Sequence, residues 1–206
     1  METNLLAFEQ SDIRRLMFRF RSYTPLPFLV VMVLFARPTV ESLLWGFAIV
    51  LLGEGLRFWG VSIAGSETRT TGAVGGTFLI TNGPFAYVRN PLYVGNILLY
   101  LGVGVMSMAL YPWLQLVALI WFYFQYSLIV AEEEGYLERQ FGQEYAEYRN
   151  HVPRFIPRLG GFKSRTPPPK LMNPREGLSS ERRTLQAIGI VTIVIVVIYV
   201  IQQRPG

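Results

Sequence analysis

Apolar residues in this chain fall in long unbroken runs separated by short charged stretches, a blocked pattern unlike that of a soluble helix or strand. Five runs stand out: Thr24 to Ala36, Val40 to Ala64, Pro91 to Leu110, Pro112 to Ala131 and Leu185 to Ile201. A bilayer core takes roughly 20 apolar residues per helix, so each run is read as a membrane span. The first is short and must extend back toward Phe18 or tilt. After the fourth, Gly135 to Asn150 places Tyr136, Leu137, Phe141, Tyr145 and Tyr148 at helical spacing, predicting an amphipathic helix along the membrane surface. The pattern therefore predicts an all-α fold, a polytopic membrane helical bundle of about five transmembrane helices plus a cytoplasmic amphipathic helix. The turn Ala109-Leu-Tyr-Pro112 is so short that spans three and four should form a tight antiparallel hairpin. Arg158 to Arg175, rich in Pro, Gly and basic residues, reads as an irregular linker.

Composition sharpens this picture. The chain has 206 residues, of which 51% are hydrophobic and 16% charged. A soluble domain carries about 25% charged residues. With no cysteine there is no disulfide, thiolate metal site or cysteine nucleophile, and the single histidine, His151, excludes a multi-histidine metal centre. No metal site is expected. The formal charge of +5 has a topological reading in a membrane protein, not a nucleic-acid one. With five spans, 16 of the 19 lysines and arginines fall on one side, which predicts a cytoplasmic N-terminus. The first apolar run follows a long charged stretch, so no cleavable signal peptide is expected. The expected location is a bacterial or archaeal plasma membrane.

Several polar groups are candidates for chemistry. Glu54 and Arg57 share a face of span two and are read either as a structural pair or as part of a site. The Gly- and Thr-rich stretch Gly65 to Thr81 carries neither phosphate-loop pattern and reads as a flexible connector. Asn90 and Pro91 are a good N-cap and first-turn residue for span three. The helix N-terminus then favours an anionic group, and Arg89 beside it can grip a carboxylate. Three adjacent carboxylates, Glu132 to Glu134, stand at the end of span four, where the helix dipole disfavours them. A cationic ligand group would benefit from them. His151 reads first as a surface residue.

These residues form a recognisable order. The stretch Gly83-Pro-Phe-Ala-Tyr-Val-Arg-Asn-Pro-Leu-Tyr-Val-Gly95 resembles the Arg-His-Pro-x-Tyr-x-Gly motif of the isoprenylcysteine carboxyl methyltransferase and phospholipid methyltransferase family. Glu133-Glu-Gly-Tyr-Leu137 looks like that family's Glu-Glu-x-x-Leu. Phe141-Gly-x-x-Tyr145-x-x-Tyr148, then Val152-Pro-Arg154 and Pro157, is similar to its C-terminal signature. The match runs from about Thr77 to Arg158. It implies an integral membrane methyltransferase that uses S-adenosylmethionine and a lipophilic or lipid substrate. Carried over by motif, Arg89, Asn90, Tyr93, Gly95, Glu133, Glu134, Tyr148, Val152 and Pro153 should bind the cofactor, and Arg89, Glu133 and Arg154 should be catalytic. Asn90 stands where better-known members have His, and Gln125 to Val130 lacks the Arg of eukaryotic isoprenylcysteine enzymes. Residues 175–206 lie outside the match.

The chain is accordingly read as a single membrane domain, 1–206, with N-terminal spans in 1–76, a methyltransferase-like core in 77–158, and a linker and extra span in 159–206. The expected function is S-adenosylmethionine-dependent methyl transfer to a lipophilic acceptor, a carboxylate or headgroup, at the cytoplasmic interface. A carboxylate acceptor needs no general base, and the few bases here favour an acceptor that is already anionic. Two alternatives are an NADPH-dependent membrane reductase related to sterol reductases, for which the chain is short, and a non-catalytic membrane scaffold. Membrane lipids are expected partners and nucleic acid is not.

Overall fold

The computed structural model describes residues 17, 19–65, 78–164 and 172–204. Among these, regular structure consists of helices alone: α1 (Pro25–Leu34), α2 (Val40–Ala64), a 3-10 turn (Gly83–Ala86), α3 (Pro91–Ser107), α4 (Trp113–His151) and α5 (Pro174–Gln202). Each helix occupies one of the five apolar runs. Three of them, α2, α4 and α5, are long and apolar enough to cross a membrane. The chain is an integral membrane helical bundle. The first run is a helix of only 10 residues, because residues 21–24 form a turn that stops it reaching back toward residue 18. Most of the Gly65 to Thr81 connector (66–77) and part of the predicted linker (165–171) lie outside the described residues.

Helix α2 begins where the sequence provides a start signal. The Thr39 side chain accepts from the Ser42 amide at 3.1 Å, and Ser42 Oγ accepts from the Thr39 amide at 2.9 Å, a reciprocal cap. Helices α3 and α4 are joined by the short turn at 108–112, where Gln115 Nε2 donates to Gly104 O at 2.8 Å, but the closest helix pair is α2 with α3. Glycines explain why. Gly46, Gly53 and Gly60 recur every seven residues on α2 and face α3, where Gly95 and Gly102 are likewise seven apart. A Cβ on Gly53 would sit 2.8 Å from the Gly95 carbonyl oxygen, and one on Gly46 would sit 2.6 Å from that of Gly102. Small residues at such positions let helix backbones approach closely inside a membrane. Their packing supports a core of Met32, Val50, Leu99, Val103, Met106 and Ile195.

Helix α4 runs 39 residues and merges the predicted fourth span with the predicted amphipathic helix. The kink lies at Gly142 (φ 49°, ψ −118°), in a backbone region open in practice only to glycine. Beyond the kink, the apolar face turns onto the protein and not along a membrane surface. Tyr145, Tyr148 and Val152 are buried with Leu79, and Phe141 and Phe162 pack against them. The chain then doubles back over the loop before α3. Arg89 N donates to Pro153 O at 2.9 Å, Arg158 N to Tyr87 O at 3.0 Å, and Phe162 N to Ala86 O at 2.9 Å.

Helix α5 starts at Pro174, well before the apolar run at Leu185, with Asn173 capping the Glu176 amide. Its early turns are fastened to the end of α2. Asn173 N donates to Ser62 O at 2.7 Å, and Gly177 packs directly on Ser62. Ile188, Val191 and Ile195 then face the core at helical spacing.

Candidate active site

The first turns of α3, the loop preceding it, the far end of α4, the last turns of α2 and the early turns of α5 converge on one cavity of about 770 Å³. That volume is within the range of small-molecule sites. Arg89, Asn90, Tyr93, Glu133, Glu134 and Tyr148 all border it. The sequence motifs that are separated by a helix hairpin thus meet at one place.

The two adjacent carboxylates have different surroundings. Glu134 is buried and held between two guanidinium groups. Arg89 Nη2 lies 3.2 Å from its Oε1, and Arg154 reaches it through Nε at 3.2 Å and through Nη2 on Oε2. Glu134 is therefore already neutralised by the protein. Glu133 receives instead the phenolic hydroxyl of Tyr93, at 2.7 Å from Oε1. It borders the cavity without a guanidinium within ion-pair distance among the described residues. Tyr93 is oriented in turn by a ring contact with Tyr126 at 4.8 Å.

Asn90 occupies the N-cap position, but its side chain makes no cap. Its Nδ2 donates to Arg154 O at 3.1 Å and ties α3 to the strap at 152–162. Arg89 Nη1 donates to Arg149 O at 3.3 Å, while its Nε is buried without a partner. Tyr148 donates to Phe85 O at 2.8 Å. Burial pushes the Tyr145 hydroxyl up to about 12 and raises that of Tyr148 as well, so both remain protonated donors at neutral pH.

The other predicted residues sit behind this lining. Val152 is buried in the Tyr145 cluster, and Pro153 supplies the carbonyl that fixes Arg89. Arg154 acts on Glu134 from the strap. Gly95 faces α2, where a Cβ would lie 2.5 Å from Arg57 Cγ, so its bare backbone seats that arginine. His151 is exposed, and its Nδ1 contacts Glu147 O at 2.7 Å in the last turn of α4.

Sequence reasoning singled out Arg57 but not the partners it meets on the same cavity, Asn96 and Glu181. Arg57 and its neighbour Asn96 both border it, and Arg57 Nη1 donates to Asn96 Oδ1. Arg57 Nη2 lies between the carboxylate oxygens of Glu181, at 2.8 and 2.7 Å, and 3.4 Å from Thr184 Oγ1. Glu54, the partner expected from spacing, is 3.8 Å from Arg57 Nε and has no hydrogen-bond partner. Glu181 is 124 residues from Arg57, so no local spacing connects them. The one available signal was a glutamate just ahead of a membrane run.

Known proteins resemble this chain in the same region. The family model described as phospholipid methyltransferase matches residues 42–144, half of the chain. The cobalt-zinc-cadmium resistance protein CzcN of Cupriavidus metallidurans is 36% identical over 85 residues, covering 41% of this chain and 38% of CzcN. The human protein-S-isoprenylcysteine O-methyltransferase is 31% identical over 141 residues, covering 61% of this chain and 46% of that enzyme. The chain thus spans less than half the length of either relative. Among solved structures, the eukaryotic intramembrane Ras methyltransferase ICMT shares the fold with a TM-score of 0.51. It is 23% identical, over 77% of this chain and 55% of that one.

Proposed function

Because the chain belongs to the phospholipid methyltransferase family, we propose that it is an S-adenosylmethionine-dependent methyltransferase acting on a lipophilic acceptor, a carboxylate or a headgroup, at the cytoplasmic face of the membrane. The observation that carries this reading is the unequal pair Glu133 and Glu134 in a cavity of about 770 Å³. Glu134 spends its charge on Arg89 and Arg154, which leaves Glu133, oriented by Tyr93, to hold a cationic group. The donor set fits the cofactor. Glu133 would take its ammonium, the unpartnered Arg89 Nε its carboxylate, and the aromatic wall of Tyr136, Tyr148 and Phe85 its adenine. When bound, S-adenosylmethionine supplies an electrophilic methyl group on a sulfonium.

The protein's own contribution is positioning and exclusion of water. The strap at 152–162 lies behind Arg89, Asn90 and Glu134 and is fixed by three backbone hydrogen bonds. Arg89, Asn90 and Tyr93 come from the start of α3, so one rigid helix end sets their mutual geometry. Holding two reactants in line contributes a large part of the barrier reduction in a displacement of this kind. The excess of basic residues in segments 1–21, 66–90 and 132–183 supports a cytoplasmic N-terminus and a cytoplasmic mouth for the cavity.

Calorimetric titration of the detergent-purified chain with S-adenosylmethionine, and separately with NADPH, tests the assignment. Saturable binding of the first alone is expected, followed by transfer of its labelled methyl group to a lipid extract. Binding of NADPH alone would favour a reductase, and binding of neither would leave a scaffold.

A further inference from the structure

Beyond the Gly142 kink the aromatic face of α4 is spent on the protein, and the strap leaves its own apolar side chains uncovered. Ile156 is 79% exposed and Leu159 wholly so, with Pro157 and Arg158 between them. The depth of the strap can be read from α4. Arg154 and Phe155 are neighbours in the chain, yet they reach α4 at positions eleven residues apart. Arg154 meets Glu134 in the charged end, whereas the Phe155 ring lies 5.5 Å from that of Tyr123, within the apolar run. At 1.5 Å per residue those two positions are about 16 Å apart along the helix. Phe155 packs further against the cluster that holds Phe122, Tyr126 and Ile129. Tyr123 is itself exposed, as are Ile120 and Phe124, on a helix long and apolar enough to cross a membrane. The strap thus stands beside the lipid-facing part of α4, and Ile156 follows Phe155 directly.

The charges around these side chains have one sign. Residues 151–164 include Arg154, Arg158 and Lys163 and no acidic residue. Arg154 is taken by Glu134. Arg158 donates through Nη1 to His151 O at 2.8 Å, and neither it nor Lys163 meets a carboxylate among the described residues. Exposed apolar side chains flanked by cations bind anionic membranes, because apolar burial and attraction to the headgroups add.

We infer that the strap is a membrane anchor: Ile156 and Leu159 insert into the leaflet at this end of the bundle, and Arg158 and Lys163 engage anionic lipid headgroups. The occupant is lipid, since the patch continues through Phe155 and Tyr123 into the lipid-facing side of α4. Seated in this way, the strap holds Arg154 on Glu134 and the Pro153 carbonyl on the Arg89 amide, so anionic lipid steadies the polar end of the cavity from behind. The inference is independent of which ligand the cavity takes.

The chain has no cysteine, so an introduced one reports a single position. Ile156→Cys, Leu159→Cys and, as a water-facing control, the exposed Gln143→Cys are labelled with a nitrobenzoxadiazole fluorophore in the full chain. The protein is placed in vesicles of phosphatidylcholine and phosphatidylglycerol. Quenching is read with an acyl-chain nitroxide on either lipid and with aqueous iodide. At 156 and 159 the lipid nitroxides should quench strongly and iodide weakly, with the reverse at 143. Nitroxide on phosphatidylglycerol should quench the label at 159 more than nitroxide on phosphatidylcholine at equal content. Arg158→Gln or Lys163→Gln should lower that ratio by up to about fivefold, the factor one basic residue contributes at an anionic surface. Lys163→Gln removes no contact within the protein and carries this arm should Arg158→Gln loosen the strap. Iodide quenching at 156 and 159 equal to that at 143 would overturn the anchor. Protection from both quenchers would overturn it as well, by placing a second copy or another protein on the strap. Equal quenching by the two lipids would overturn the headgroup assignment.

Discussion

Replacing Glu134 and Glu133 one at a time by Gln should separate structure from ligand binding. Glu134 is 8% exposed and faces Arg89 and Arg154, whose side chains are 11% and 37% exposed. Removing one partner of a buried ion pair costs about 3–5 kcal/mol, because the remaining charge is left without compensation. That applies to Arg89. Arg154 is more than a third exposed, so solvent screens it and its share is discounted to about 0–1 kcal/mol. A net loss of about 3 kcal/mol is expected for Glu134→Gln, which in a chain of this size lowers Tm by about 6–12 °C. Glu133→Gln keeps an acceptor for the Tyr93 hydroxyl and breaks no ion pair among the described residues, so Tm should move by less than about 2 °C. The binding response should be the reverse. A hydrogen bond to a charged group is worth about 1.5–3 kcal/mol, so Glu133→Gln should weaken S-adenosylmethionine binding by about 10- to 100-fold. Tryptophan-fluorescence melting in detergent and calorimetric titration read the two quantities. If Glu133→Gln proved the more destabilising variant, or left affinity unchanged, the division of labour between the two carboxylates would be wrong.

Gly53→Ala should destabilise by about 1–3 kcal/mol in the same melting assay, since the new methyl meets Gly95 O at 2.8 Å and Leu99 N at 3.0 Å, both backbone atoms. Gly55→Ala, with no atom within 4 Å of the added carbon, should be neutral or stabilising by up to about 1 kcal/mol. Gly142→Ala meets no neighbour either, yet should cost about 1–3 kcal/mol from its backbone angles alone, and faster proteolysis after residue 142 would report the loosened kink. Thr39→Ala removes the reciprocal cap of α2 and should cost about 1 kcal/mol; no change in Tm would mean that the helix start is fixed by packing.

The sequence by itself determined the class and the five apolar segments that become helices. Those features are local. An apolar run long enough for a bilayer must be a helix, since no other single segment satisfies its backbone there. The family's motifs are short enough to be read in line, and Arg89, Tyr93, Glu133, Glu134 and Tyr148 meet at the cavity as their order implied. The two adjacent glutamates were equivalent on paper. Only the return of the strap, which brings Arg154 onto Glu134, gives one of them two guanidinium partners and leaves the other with the Tyr93 hydroxyl. Glu54 and Arg57 do form an ion pair at helical spacing, at 3.8 Å, but α5 supplies Glu181, whose carboxylate takes the terminal nitrogen of the same arginine at 2.7 Å. The glycine crossing of α2 and α3 needed both helices to be placed before its spacing had meaning. Long-range charge pairing and backbone approach depend on which helix faces lie together, and that is decided by packing and not by any one segment.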